Sequence, residues 1–129
     1  MPERSKDWMN QAERDLHVAE ELLSDELYEW SCFAAHQAAE KALKAVFQKS
    51  HAIAWGHSIL DLLKALSRSF AVNDGLLDCG RSLDKYYVPT RYPNGFESGS
   101  PYEYFIREDA EHAIVHSRRI LEFCQDLLA

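Results

Sequence analysis

Two side chains near the start of the last predicted helix, Arg107 and His112, are of types that can cleave RNA without a metal. A histidine there can act as a general base, and an arginine can hold a phosphate. His116 lies one helical turn beyond His112 and shares a helix face with it, together with Arg119 and Phe123. The alternatives are ordinary surface residues, or a dimer interface formed by this face.

A second group of candidate residues is the tripeptide Arg91-Tyr92-Pro93. Pro93 restricts Tyr92 to extended geometry, so Arg91 and Tyr92 are presented in fixed directions. An arginine beside an aromatic ring suits stacking on a base while a phosphate is contacted. Arg91 could equally pair with an acidic side chain and only hold the loop in place. Both interpretations stay open on the sequence alone.

A third group is the polar edge of the segment Trp30–Lys49, where Gln37, Glu40 and Lys44 lie opposite an apolar arc. Glu40 and Lys44 are four residues apart, which predicts an ordinary ion pair on one helix face. His57, which follows a glycine, is interpreted as a capping or packing residue.

Other site types find little support. His112, His116 and Asp109 could ligate a metal, but no distant residue completes such a site, so no metal is expected. Walker, dinucleotide-binding and Ser-His-Asp patterns are missing, and no cofactor is expected. The net charge of −7 argues against binding of duplex DNA, while a small local RNA or nucleotide site remains compatible with it.

Helical periodicity predicts the elements that position these residues. The segment Trp30–Lys49 has six alanines and neither glycine nor proline, so it should form the central helix. Ser58 and Asn73 are candidate N-caps. The predicted helices span residues 5–24, 26–50, 57–70, 73–87 and 106–128. We therefore predict an all-α, up-and-down bundle of four main helices plus one minor helix.

One stretch interrupts the helices. Three of the four prolines lie between Pro89 and Tyr104, where no helix is expected. Five of the six tyrosines lie in or beside this stretch, which favours an ordered loop packed on the bundle or on a partner.

Length and composition limit the number of domains and the class of protein. The 129 residues predict one domain, 1–129, with 47% hydrophobic and 27% charged residues. No apolar run reaches the ~18 residues of a membrane span, and MPERSKDW lacks the apolar segment of a signal peptide. A cytoplasmic protein without membrane contact is expected. The three cysteines fall on apolar helix faces and are interpreted as buried hydrophobic residues.

Four stretches in this order, WSCFAAHQAAEKALKAV, GHSILDLLKAL, LDKYYVPTRYPNG and DAEHA, resemble an HEPN domain. The resemblance covers residues 8–128 and implies a bundle of four or five helices that commonly forms homodimers. Small members of this kind are often encoded beside a minimal nucleotidyltransferase, and such pairs can behave as toxin and antitoxin. Other members are proposed nucleotide-binding modules.

Many HEPN proteins are ribonucleases that use an arginine followed, four to six residues later, by a histidine near the start of the last helix. Arg107 and His112 match that spacing. If Ile106 opens the helix, however, their side chains point about 140° apart. The preferred hypothesis is a dimeric nucleotide-binding and interaction module, partnered with a minimal nucleotidyltransferase in a toxin–antitoxin-like pair. Its ligand is expected at Arg91, Tyr92 and the polar edge of the central helix. The alternative is a metal-independent ribonuclease toxin that uses His112 with Arg107 or Arg91.

Overall fold

The computed structural model describes residues 2–129 and consists mainly of five α-helices. They are α1 (Ser5–Ser24), α2 (Tyr28–Lys49), α3 (Ile59–Leu66), α4 (Asp74–Asp84) and α5 (Arg107–Leu128). Residues 2–129 contain no β-strand, which confirms the all-α prediction. Over the same range, no helix combines the length and the apolar character that crossing a membrane requires.

α1 and α2 run antiparallel, because residues later in α2 contact residues earlier in α1. The Ser31 hydroxyl donates a hydrogen bond of 2.7 Å to the carbonyl of Ala19. Ten residues further along α2, Nζ of Lys41 lies 2.6 Å from Oδ2 of Asp15. The three-residue link between the two helices leaves no room for another arrangement.

α5 runs parallel to α2. At one end the Arg107 guanidinium lies 5.4 Å from the centre of the Tyr28 ring. At the other end the Lys49 ammonium donates a hydrogen bond of 3.2 Å to the carbonyl of Leu128. These contacts join the first and last turns of both helices.

α4 runs antiparallel to α5. Tyr86, just after α4, packs on Phe105, just before α5, with ring centres 6.1 Å apart. At the opposite end Gly75 of α4 lies against the guanidinium of Arg119. The helices α1, α2, α4 and α5 thus alternate in direction, which agrees with the predicted up-and-down bundle of four main helices, and the eight-residue α3 is the minor helix.

The apolar arc predicted for α2 forms the centre of the core. All of its members are 2% exposed or less: Cys32, Ala35, Ala39, Ala42, Leu43 and Val46. Alanine side chains are short, so the neighbouring helices approach α2 closely. The polar residues of α2 are therefore confined to a narrow edge of the helix.

The cysteines are buried and unpaired, as predicted. Burial, with smaller contributions from the charges of Asp109 and Glu29, raises the pKa of the Cys32 thiol to about 12. Burial also raises the pKa of Cys79 and of Cys124. All three side chains therefore behave as small apolar groups.

The two predicted N-caps are present. The Ser58 hydroxyl accepts a hydrogen bond from the N–H of Asp61, and the Asn73 side chain accepts one from Leu76. α3 is shorter than predicted because the chain after Leu66 tightens into three-residue turns.

The loop after α4 contains no α-helix, as predicted, but it has short 3₁₀ turns at Pro93–Gly95 and Pro101–Glu103. Its order comes from aromatic packing. The rings of Phe96 and Tyr104 stack at 4.1 Å between centres, and Phe96 also meets Phe105 edge-on at 6.3 Å. The loop therefore packs on itself and on the end of the bundle.

Candidate functional site

The guanidinium of Arg91 lies among three aromatic rings. Its Cζ atom is 4.4 Å from the ring centre of Phe33, 4.6 Å from that of Tyr87 and 5.1 Å from that of Tyr92. Its Nε–H donates a hydrogen bond of 2.8 Å to the backbone carbonyl of Tyr87. Such cation–π contacts and the hydrogen bond to the carbonyl fix the orientation of the planar guanidinium group.

The outer half of the same side chain is unpaired. No ion pair or hydrogen bond from residues 2–129 engages the two Nη groups of Arg91. Arg91 is only half-buried, so these groups are open to solvent on one side. A guanidinium held at Nε with free Nη groups is suited to binding a phosphate or carboxylate through two bonds.

His36, beneath this arginine, is fully buried. Its Nε2 lies 3.3 Å from Oδ1 of Asp84, and its Nδ1 lies 3.2 Å from Nε2 of Gln37. A carboxylate only accepts and an amide nitrogen only donates, so the tautomer that satisfies both bonds carries its proton on Nε2. The imidazole ring also packs on Tyr87, with ring centres 5.0 Å apart.

Asp84, the last residue of α4, fixes His36 and the start of α3 together. Its carboxylate accepts hydrogen bonds from the Ser58 hydroxyl at 2.8 Å and from the N–H groups of Ile59 and Leu60 at 2.7 and 3.1 Å. Burial alone would raise the pKa of Asp84, but the bonds from His36, the two N–H groups and the hydroxyl outweigh it and hold this pKa below its ordinary value.

Glu40 lies on the predicted polar edge of α2, and it is only 5% exposed. The predicted pair with Lys44 is confirmed at 2.9 Å, and His57 Nδ1 lies 3.1 Å from each carboxylate oxygen. Periodicity within α2 could not reveal this burial, because His57 comes from the chain segment that folds back after α2.

His57 also connects Glu40 to the aromatic rings. Its imidazole stacks on Tyr87 with ring centres 5.0 Å apart and an angle of 19° between the planes. This agrees with the packing role predicted for His57. Tyr87 therefore lies between two histidines and the arginine.

We call this cluster the Arg91 site. Its members are Phe33, His36, Gln37, Glu40, Lys44, His57, Asp84, Tyr87, Arg91 and Tyr92. Of the five residues predicted at the ligand, Arg91 and Tyr92 are in direct contact, whereas Gln37, Glu40 and Lys44 are connected to Arg91 only through the two histidines and Tyr87. The other five members, Phe33, His36, His57, Asp84 and Tyr87, were not predicted at the ligand. The four-residue spacing from Tyr87 to Arg91 was the signal that could have indicated one of them.

Arg107 and His112 have different neighbours. Arg107 lies 3.6 Å from Glu26 and over the Tyr28 ring, at the link between α1 and α2. His112 has a side chain that is 62% exposed and lies 3.9 Å from Glu108. No hydrogen bond in the described part of the chain joins Arg107 to His112.

On the face of α5 with His116, Arg119 and Phe123, Arg119 is exposed, whereas His116 and Phe123 are partly buried. Burial lowers the pKa of His116, and the nearby charges of His112 and Arg119 lower it further. Phe123 does not point outward: it is half-buried and packs on the core. The reason is its position only about 60° around the helix from Ile120, which is fully buried.

The model of the HEPN domain family matches residues 5–127. This chain belongs to the HEPN domain family. The family assignment inferred from WSCFAAHQAAEKALKAV and LDKYYVPTRYPNG is thereby confirmed.

Solved HEPN-like structures are similar over nearly the whole chain. The protein TT1696 from Thermus thermophilus has a TM-score of 0.95 and 41% identity, covering 98% of this chain and 99% of that one. ST0689, an archaeal HEPN homologue, has a TM-score of 0.84 and 38% identity over the full length of both chains. The Methanocaldococcus jannaschii protein named Putative toxin MJ1304 is 29% identical over 133 residues, which cover 96% of this chain and 88% of that protein.

Proposed function

We propose that this HEPN domain is a cytoplasmic nucleotide-binding and interaction module whose ligand, a nucleotide or RNA, binds at the Arg91 site. The observation that carries the proposal is the state of Arg91. Its Nε is committed to the Tyr87 carbonyl, its plane is fixed by Phe33 and Tyr87, and its Nη groups are unpaired by residues 2–129. An anion can therefore bind these donors without breaking any hydrogen bond within residues 2–129.

The surroundings of Arg91 suit an anion with an aromatic part. Tyr92 is 49% exposed and offers a ring face for stacking beside the guanidinium. The acidic residues nearby are already engaged, because Asp84 binds the start of α3 and Glu40 binds Lys44 and His57. Their negative charges are compensated by these donors, which lowers their repulsion of an incoming phosphate.

The partner is proposed to be a minimal nucleotidyltransferase, in a toxin–antitoxin-like pair. Support comes from the toxin name of the archaeal relative and from the HEPN resemblance.

The proposed assembly is a homodimer, joined along the face of α5 with His116, Arg119 and Phe123. Val115 on the same face is 50% exposed, an apolar side chain that a second copy would cover.

Calorimetric titration with ATP, GTP and a short single-stranded RNA tests ligand binding. We expect the native protein to bind at least one of them. Arg91→Gln should weaken that binding at least tenfold, because the charged bidentate donor is removed. No measurable heat with any of the three ligands would contradict the proposal.

Arg81→Gln is the matched control. Arg81 lies on α4, and its exposed side chain pairs with Asp78 at 2.8 Å, away from the aromatic rings of the Arg91 site. The control removes the same charge and should leave affinity unchanged. Equal losses in both variants would indicate a general charge effect instead of a site.

A second candidate function is suggested by the relative named a toxin: a metal-independent ribonuclease in which His112 is the general base and Arg107 or Arg91 holds the phosphate. It predicts that expression slows growth and that His112→Ala relieves the effect. If the native and variant proteins are equally harmless and neither degrades RNA, this enzyme hypothesis fails. Nucleotide binding would be unaffected by that result.

A further inference from the structure

A groove of about 340 Å³ lies between α1 and α2. Val18 and Leu22 of α1 line one side, and Trp30, Phe33 and Gln37 of α2 line the other. The volume is at the small end of the ~300–1,000 Å³ typical of ligand pockets. A groove of this size suits one flat ring system better than a whole nucleotide.

The groove and the Arg91 site share residues. Phe33 lines the groove, and its ring centre is also 4.4 Å from the Arg91 guanidinium. Gln37 lines the groove as well, and its amide lies 3.2 Å from Nδ1 of His36. Phe33 and Gln37 therefore lie at the boundary between the groove and the Arg91 site.

The groove has the chemistry of a nucleobase site. Trp30 is 46% exposed and meets Phe33 edge-on, with ring centres 6.2 Å apart at 83°. Nearly half of the Trp30 side chain is accessible, and stacking on an indole ring accepts any base. The polar boundary is formed by the Gln37 amide and by the ion pair of Lys41 with Asp15 at 2.6 Å. Such groups can hydrogen-bond to the donors and acceptors on the edge of a base.

We propose that the base of the bound nucleotide occupies this α1–α2 groove against Trp30 while Arg91 holds its phosphate. This rests on the proposed function and specifies its ligand class: nucleotides with an intact base, in preference to phosphate compounds without one. The two halves of the ligand are recognised by separate residues, so they can be tested separately.

The experiment compares ATP with tripolyphosphate, which has the same phosphate chain and no nucleoside. Trp30→Ala removes the stacking surface, and Val18→Trp fills the groove. Each should weaken ATP binding about tenfold, the effect expected from losing one base stack. Neither variant should change the affinity for tripolyphosphate. If the native protein does not bind tripolyphosphate, neither variant should bind it. Arg91→Gln should weaken the binding of ATP, and also that of tripolyphosphate if the native protein binds it.

Trp55→Ala is the matched control, because Trp55 is 81% exposed and does not line the groove. It should bind ATP like the native protein. If Trp30→Ala and Val18→Trp leave ATP affinity unchanged, or weaken ATP and tripolyphosphate by the same factor, the base lies elsewhere and this inference is overturned. In that case nucleotide binding itself still stands. Failure of the native protein to bind ATP, GTP or RNA overturns the proposed function and this inference together.

Discussion

The Cζ atom of Arg91 lies 4.4 Å from the centre of the Phe33 ring, so the loop after α4 is joined to the second turn of α2 by a cation–π contact. The same guanidinium carries the Nη donors proposed to bind a phosphate. Loop position and ligand binding therefore depend on one side chain. A ligand that binds Arg91 should also make this loop more ordered.

Arg91→Lys should destabilise the protein even though the positive charge is kept. Lysine has no planar group to lie between Phe33 and Tyr87, and it lacks the Nε–H that binds the Tyr87 carbonyl. We expect a loss of about 1–2 kcal/mol in the free energy of unfolding, measured by urea denaturation. Arg81→Lys, at an exposed position, should change it by less than about 0.5 kcal/mol. Equal stability of the two variants would contradict the structural role of Arg91.

Asp84→Asn should destabilise the protein near pH 7 and lose its effect in acid. The native pKa of Asp84 lies below its ordinary value of 3.8, so its stabilising contribution is present above that value. The contribution falls as the pH drops from about 3.8 through the native pKa. Removing the charge that accepts four hydrogen bonds should cost about 2–3 kcal/mol at pH 7.

Urea denaturation of the native protein and of Asp84→Asn between pH 7 and pH 2.5 measures this dependence. The difference between the two curves should shrink below pH 4. Asp78→Asn, an exposed aspartate on the same helix, is the control and should follow the native curve closely. A constant difference at every pH would show that the Asp84 charge is not what stabilises α3.

Two glycines of α4 should respond differently to alanine. A Cβ at Gly80 would lie 3.1 Å from the backbone nitrogen of Leu60, which cannot move without shifting α3. At Gly75 it would lie 3.0 Å from Nη2 of Arg119, the flexible end of a side chain. We expect Gly75→Ala to be more stable than Gly80→Ala by about 1–2 kcal/mol, measured by thermal unfolding. The reverse order would mean that α3 and α4 are not held as closely as described.

Val115→Glu should separate the proposed dimer. The side chain is 50% exposed in one chain, so a charge there costs little in a monomer and much in a buried apolar interface. Light scattering coupled to gel filtration should show a dimer for the native protein and a monomer for this variant. Phe123→Glu should also give monomers, with added loss of stability because Phe123 packs on the core.

The control for the dimer test is Val88→Glu, at an exposed valine of the loop after α4. It should remain dimeric. A native protein that is monomeric at all concentrations, or a Val115→Glu variant that stays dimeric, would remove the α5 face from consideration as the interface.

Local signals in the sequence were sufficient for most of the fold. The alanine-rich arc of α2 and the caps Ser58 and Asn73 depend on residues within one or two helical turns, and the structure confirms them. The ion pair of Glu40 with Lys44 belongs to the same class, since both residues lie on one helix. Such features need no knowledge of tertiary structure.

The parts of the Arg91 site that were missed depend on contacts between distant segments. Asp84 is bonded to residues 24–26 positions earlier, and periodicity in α4 carries no information about them. His36 lies among the alanines of α2 and is buried. Burial implies that its imidazole has a hydrogen-bond partner, but the sequence does not show which residue that partner is. The burial of Glu40 could not be predicted from α2 alone, because the segment with His57 covers it only in the folded chain.

The three buried thiols have a practical consequence. Cys32, Cys79 and Cys124 lie on three different helices, and each is 1% exposed or less. A thiolate-selective alkylating reagent can reach them only when the helices separate, and in the closed form their raised pKa values keep the thiols protonated and unreactive. The mass added per molecule during a short exposure would therefore count opening events, and the labelled cysteine would identify which helix opened. The natural sequence thus already contains a reporter of its own unfolding.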